Sequence, residues 1–320
     1  MKFWTLKALL LTAAISSLCL VSLGAVNDAA GTTGFASLKI VYSARAMAMG
    51  QSLTALAKNP DGVHFNPASI MKIDGNEVGT TYSNYFLDAQ GGQMQYLWPK
   101  NRFTAWGFAL KYMNMGSFDR TEVDQNGDLI DTEDTFGAYN LIASASVAKY
   151  LSDAIDVGGT LKVVYDQIDD SSASAVLLDL GLMHHPDNEK VKVGVSVRNL
   201  GAQLSYYSED KYKEKLPLTF TAGISYQANS HILANLEVGK ASGENIVAKL
   251  GGEYALTPAL ALRAGFRTNA GDGYNGGSFA FLSGLSFGAG WKWRNYRVDY
   301  GMTSYGDLGL INQLSLCYEF

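Results

Sequence analysis

The sequence predicts an all-β chain: a 14-stranded antiparallel transmembrane β-barrel of the outer-membrane type, with a small N-terminal helical hatch inside the lumen. Three observations carry this expectation. Apolar and polar residues alternate with a two-residue period in segment after segment, as strands with two different environments on their faces require. The connections between those segments are alternately short and long. The 320 residues include 34 glycines, 18 tyrosines and 14 phenylalanines against 6 prolines, and only 17% are charged, below the roughly 25% usual in soluble domains. A net charge of -5 offers no basic surface of the kind a nucleic-acid backbone recruits.

At the amino terminus Lys2 and Lys7 precede an apolar run over 8–21, followed by Ser22-Leu23-Gly24-Ala25. This is the layout of a secretory signal peptide over 1–24, with cleavage expected after Gly24 or Ala25. Its removal leaves 23 basic against 30 acidic residues and Cys317 as the remaining cysteine. An intramolecular disulfide and a cysteine-rich zinc site are thereby excluded. No later apolar run reaches the length of a spanning helix.

Residues 25–76 precede the first expected strand and are read as the hatch. Ser43 is placed to cap a helix over 44–58, whose Ala44, Met47, Ala48, Leu53, Leu56 and Ala57 supply small and apolar contacts. Asn66 followed by Pro67 has the form of an N-cap with proline at the first helical position. Together they predict a compact plug in the periplasmic half of the lumen.

The barrel is expected over 77–320, with strands at 77–87, 91–98, 103–114, 136–150, 154–168, 173–185, 191–199, 216–228, 231–240, 245–256, 260–268, 281–292, 296–304 and 312–320. An even number lets the two ends pair antiparallel, leaving no open edge in lipid. In 154–168, Ile155, Val157, Leu161, Val163 and Tyr165 share one face, and Asp156, Thr160, Lys162 and Asp166 the other. Short connections fall at 99–102, 151–153, 186–190, 229–230, 257–259 and 293–295, and long ones at 115–135, 201–215 and 269–280. Short turns face the periplasm in such barrels, so the loop with Asp119, Glu122, Asp124, Asp128, Asp131, Glu133 and Asp134 is expected outside the cell. Trp98, Trp291, Trp293 and Tyr296 lie near short turns, where aromatic rings occupy a lipid interface. Leu314, Leu316, Tyr318 and the terminal Phe320 share a face, resembling the C-terminal signal read by the barrel-insertion machinery. The expected location is the outer membrane of a Gram-negative bacterium, among lipid, lipopolysaccharide and the barrel-assembly machinery.

With apolar faces toward lipid, the charges expected in the lumen are Lys111, Asp156, Lys162, Asp166, Asp179, Lys192, Arg198, Glu237, Lys249, Glu253, Arg263, Arg267, Arg297, Asp299 and Glu319. The signs are nearly balanced. A selective ion pore biases one sign, so balance favours paired charges in a narrow interior. Catalysis finds no support: His184 and His185 are adjacent on a strand and point to opposite faces, and Gly271-Asp272-Gly273 lacks the carboxylates of a calcium loop. No enzyme activity, cofactor or metal is expected.

The hatch carries a resemblance. Phe35 through Ile40 with its Leu38-Lys39-Ile40 element, Ala44 through Gly50 with Arg45, Met49 and Gly50, and His64 through Ser69 with Asn66-Pro67-Ala68 resemble the amino-terminal pattern of the PorV/PorQ family, within the FadL-like group of outer-membrane barrels. The resemblance implies a fourteen-stranded barrel with an N-terminal hatch. It further implies a role in a type IX-like secretion system, with secreted proteins carrying a C-terminal sorting domain and translocon components as partners, held by loops such as 115–135 and 201–215. The broader group implies the alternative, passage of long-chain fatty acids or other hydrophobic molecules. A structural barrel without transport is the third reading. A salt-bridged lumen would favour the first, an apolar pocket the second.

Overall fold

The computed structural model describes residues 31–86, 89–124, 126–269 and 282–320. The expected signal peptide and the 271–273 glycine motif lie outside them.

Among the described residues fourteen antiparallel strands form one closed barrel: β1 (Glu77–Asn84), β2 (Gln90–Asn101), β3 (Thr104–Val123), β4 (Leu129–Ser152), β5 (Ile155–Ile168), β6 (Ser171–His184), β7 (Val191–Ser205), β8 (Thr219–Gln227), β9 (Ile232–Ala241), β10 (Val247–Ala255), β11 (Leu260–Arg267), β12 (Leu285–Trp293), β13 (Tyr296–Ser304) and β14 (Leu310–Glu319). Closure joins β1 to β14, from Glu77 opposite Glu319 to Asn84 opposite Asn312. Every strand is thus paired on both sides, which lets a sheet cross hydrocarbon without orphaned backbone groups.

The alternation reads directly as inside and outside. Along β1, Glu77, Gly79, Thr81 and Ser83 turn inward and are buried, whereas Val78 and Tyr82 are exposed. On β14, Leu314, Leu316 and Tyr318 face outward with the terminal Phe320. Around the short-turn end Trp291, Trp293, Tyr296, Tyr318 and Phe320 form a chain of ring contacts with centroids 4.8 to 6.4 Å apart. An apolar outer wall with an aromatic girdle defines a multi-pass barrel of the Gram-negative outer membrane.

Two sequence expectations are corrected. The segment 115–135 is mostly strand, because β3 and β4 continue as a two-stranded ribbon to Val123 opposite Leu129. Phe118 and Phe136 pack across it at 5.5 Å, and the Asp124 carboxylate accepts the Asn126 and Asp128 amides at its tip. Beyond the membrane both faces of a ribbon meet water, so the alternation that marks a spanning strand is lost although pairing persists. Likewise β7 runs on to Ser205, shortening the loop expected at 201–215.

The second correction concerns the hatch helix. It covers Ala44–Ala48 rather than 44–58. Gly50 and Gln51 follow at φ of 60° and 61°, a left-handed pair that ends the helix. The apolar residues beyond it, Leu53, Ala55 and Leu56, are buried because the segment is surrounded, not because it is helical. The caps are as the sequence predicts: the Ser43 hydroxyl accepts the Ala46 amide, and the Asn66 side chain accepts the Ala68 amide at a 3₁₀ turn, Pro67–Ile70.

Candidate functional site

The candidate site is the lumen and the segment that fills it. From Gly34, whose amide donates to the Lys215 carbonyl at 3.1 Å near the long-loop end, the hatch descends to Asp74 at the short-turn end. Inward glycines make room for it. A Cβ on Gly301 would strike the Ala44 carbonyl, one on Gly194 the Thr54 carbonyl, and one on Gly158 the Pro67-Ala68 peptide. Gly181 faces Asn66 and Pro67 in the same way. The hatch backbone therefore lies directly on the wall, where only hydrogen separates the chains. Asn66 fastens it there, donating through Nδ2 to the carbonyls of Thr54 at 2.8 Å and Leu182 at 3.0 Å. The Gly50 amide donates to Ser286 Oγ at 3.1 Å, and Met49 beside it is fully buried.

Charge fixes one side of the hatch. Arg45 makes two 3.0 Å bonds to Glu253, from Nε and Nη2. Glu253 also accepts Arg263 Nε at 2.6 Å, Arg263 reaches Asp299 at 2.6 Å, and Asp299 accepts Arg297 at 3.1 Å. Arg297 continues to Glu77 at 3.1 Å. Three guanidinium groups thus meet three carboxylates across β1 and β10 to β13. Nearby, Glu237 binds Lys249 at 2.9 Å and the Thr54 amide at 2.9 Å. At the ends, Lys39 pairs with Glu244 at 2.7 Å and Glu319 with Lys292 at 3.4 Å. Asp156 accepts His185 at 2.7 Å with Lys72 3.5 Å away, while His184 bonds the Ala154 carbonyl. Lys192 lines a chamber of about 540 Å³ at this end, with Met71, Met183 and Asp156. Arg267 lies over the Tyr305 ring at 4.5 Å.

Asp61 is buried beside this network, its Oδ2 accepting the Ser43 hydroxyl at 2.8 Å. Burial pushes its carboxyl above the usual carboxylate range, against the opposing pull of Ser43, Arg297 and Arg45. The sign follows: stability from Asp61 is complete below the ordinary aspartate pKa and is lost as pH rises through the elevated one. Asp61→Asn is therefore expected to raise the thermal midpoint near neutral pH and to match wild type in acid, as a pH series of melting curves will report.

The opposite side of the hatch is apolar. Phe35, held at a φ of 52°, packs with Leu38 among Ile142, Val164, Ala173, Ala175 and Leu177 of β4 to β6. Ile40 and Tyr42 pack with Ala89 and Met113. Asp166 borders this stripe, accepting weak 3.4 Å bonds from Ser37 and Tyr207. Below it, Lys111, Lys162, Asp179 and Arg198 surround a cavity of about 20 Å³, room for about one water. Among the described residues no cluster of histidine, cysteine or carboxylate could hold a metal.

The inward glycines and the division of the lumen into a charged and an apolar side were not read from the sequence. The signal for the first was present: glycines recur at inward strand positions.

A closed barrel with a luminal hatch is the class that fold and site define. No protein-family model matches the chain, and no curated protein is significantly similar to it. Among solved structures, the P. putida toluene transporter TodX superposes with a TM-score of 0.63 at 13% identity, covering 87% of this chain and 98% of that one. The CymD monoaromatic hydrocarbon channel gives 0.62 at 14% identity, covering 87% and 97%. The Ralstonia pickettii toluene transporter TbuX gives 0.59 at 14% identity, covering 87% and 98%. These similarities overturn the PorV/PorQ assignment and, with it, the secretion role: the three solved barrels that share the fold are two toluene transporters and a monoaromatic hydrocarbon channel. The ribbon that pairs Ser117 with Gly137 and Val123 with Leu129 also replaces the long loop assigned to partner binding.

Proposed function

We propose that the chain is an outer-membrane channel for small hydrophobic molecules, with monoaromatic hydrocarbons, the class carried by the similar solved barrels, as the first candidates. The observation that carries this reading is the apolar stripe. A water-filled pore presents a polar interior, yet here Phe35, Leu38, Ile40 and Tyr42 lie against an aliphatic inner wall spanning β3 to β6. The charged clamp holds the other side of the hatch, so the route for an apolar solute runs along the stripe, between hatch and wall. The similarity to solved hydrocarbon channels supports the same reading at the level of fold.

The test is toluene uptake by intact cells lacking their own hydrocarbon channel. The wild-type chain should restore uptake. Ala175→Lys, which puts a charge into the buried apolar stripe, should reduce it by tenfold or more in cells with equal amounts of folded barrel. Wild-type cells that take up no more toluene than the parent strain would refute the reading.

A further inference from the structure

The two sides of the lumen treat buried charge differently. On the clamp side Arg45, Arg263 and Arg297 are matched by Glu77, Glu253 and Asp299. Beside the stripe, Lys111, Lys162 and Arg198 converge on one cavity with a single carboxylate, Asp179. That carboxylate is already committed: it binds Lys162 at 2.7 Å and accepts the Asn199 amide at 2.8 Å. Lys162 also donates to Asn199 Oδ1. Lys111 is 8% exposed and has no hydrogen-bond or ion-pair partner among the described residues. Arg198 donates through Nη1 to the His64 carbonyl at 2.9 Å, but its Nε is buried without a partner. His64 does not compensate, since burial and the three cations hold its imidazole neutral.

Unpaired buried cations are costly, because desolvation is not offset by an opposite charge. We infer that the cavity bounded by Lys111, Lys162, Arg198 and His64 is a binding site for one small monovalent anion of halide size. The volume sets the size: about 20 Å³ admits one water-sized species and excludes a polyatomic acid with a chain. The Lys111 ammonium and Arg198 Nε supply charge and donors. Arg198 also holds the hatch by the His64 carbonyl, so the anion ties Gly62–Phe65 to β3 and β7 much as Glu253 ties Arg45 to β10. This site is independent of which solute the barrel carries.

The probe is bromide. Crystals of the full chain grown in bromide should show an anomalous peak in the cavity between Lys111 and Arg198, and Lys111→Met crystals should lack it. In solution, hydrogen exchange of the His64 and Asn66 amides should be about tenfold slower in chloride at about ten times its dissociation constant than in gluconate of equal ionic strength. The Lys111→Met protein should lose that difference. A wild-type cavity without anomalous density overturns the inference whatever the variant does. Equal exchange in the two salts overturns the coupling of the anion to the hatch.

Discussion

In a planar bilayer, the Gly194→Val/Gly301→Val protein is expected to conduct ions persistently, where the wild type stays closed for most of the record. Both glycines turn into the lumen, and both lie against hatch backbone rather than against movable side chains: the carbonyls of Thr54 and Ala44 occupy the places where a Cβ would stand. Overpacking of this kind costs about 1 to 3 kcal/mol per site. Each 1.4 kcal/mol shifts the balance between seated and unseated hatch by roughly tenfold, so two sites move it by one to four powers of ten. Removing 31–75 should open the channel further. Gly252→Ala is the control, since the nearest heavy atom to its Cβ is a carbonyl oxygen at 3.9 Å. Closed traces from the double variant would mean that the wall glycines do not seat the hatch.

Loss of Glu253 should release the hatch from the other direction. Its carboxylate serves Arg45 twice and Arg263 once, so Glu253→Ala leaves two buried guanidinium groups short of a partner. Breaking a buried pair in this way costs roughly 3 to 5 kcal/mol. The expected readouts are rapid chymotrypsin cleavage after the buried hatch residue Phe65, a site kept in every variant, and frequent opening in the bilayer. Arg45→Met/Glu253→Met should recover most of the protection, because the double change removes both charges and leaves Arg263 its 2.6 Å bond to Asp299. The cycle of single and double variants isolates the pair from the rest of the network.

The barrel was legible in the sequence because lipid and lumen impose opposite demands on alternate residues. Tyr296 to Ser304 is a strand over the residues expected, since each side chain there has one environment. The signal failed where that contrast vanishes. In the ribbon of β3 and β4 both faces are wet, and Thr121, Glu122 and Val123 read as loop while pairing as strand. In the hatch every face is covered, so Leu53 and Leu56 mimic a helical pattern without forming one.

The site was legible as a list of inward charges but not as an arrangement. Near equality of signs hides that Arg45, itself on the hatch, completes the network around Glu253, while Lys111 and Arg198 share their cavity with one carboxylate, Asp179, that is already paired with Lys162. Which charge meets which depends on stagger around the barrel, a property of closure rather than of any one strand. The hatch elements that resembled a secretion family describe how a plug is seated: Asn66 and Pro67 press on Gly181. Seating is compatible with many cargoes, so that motif could not specify one.

The most direct measurement compares two solutes of similar size in intact cells producing the chain, one a small apolar hydrocarbon and the other a hydrophilic sugar, with the lipopolysaccharide leaflet as the barrier. A hatch-filled lumen with one apolar side predicts that hydrocarbon entry rises while sugar entry stays at the level of cells without the barrel. Sugar entry that rises as much as hydrocarbon entry, or hydrocarbon entry that does not change, would contradict it.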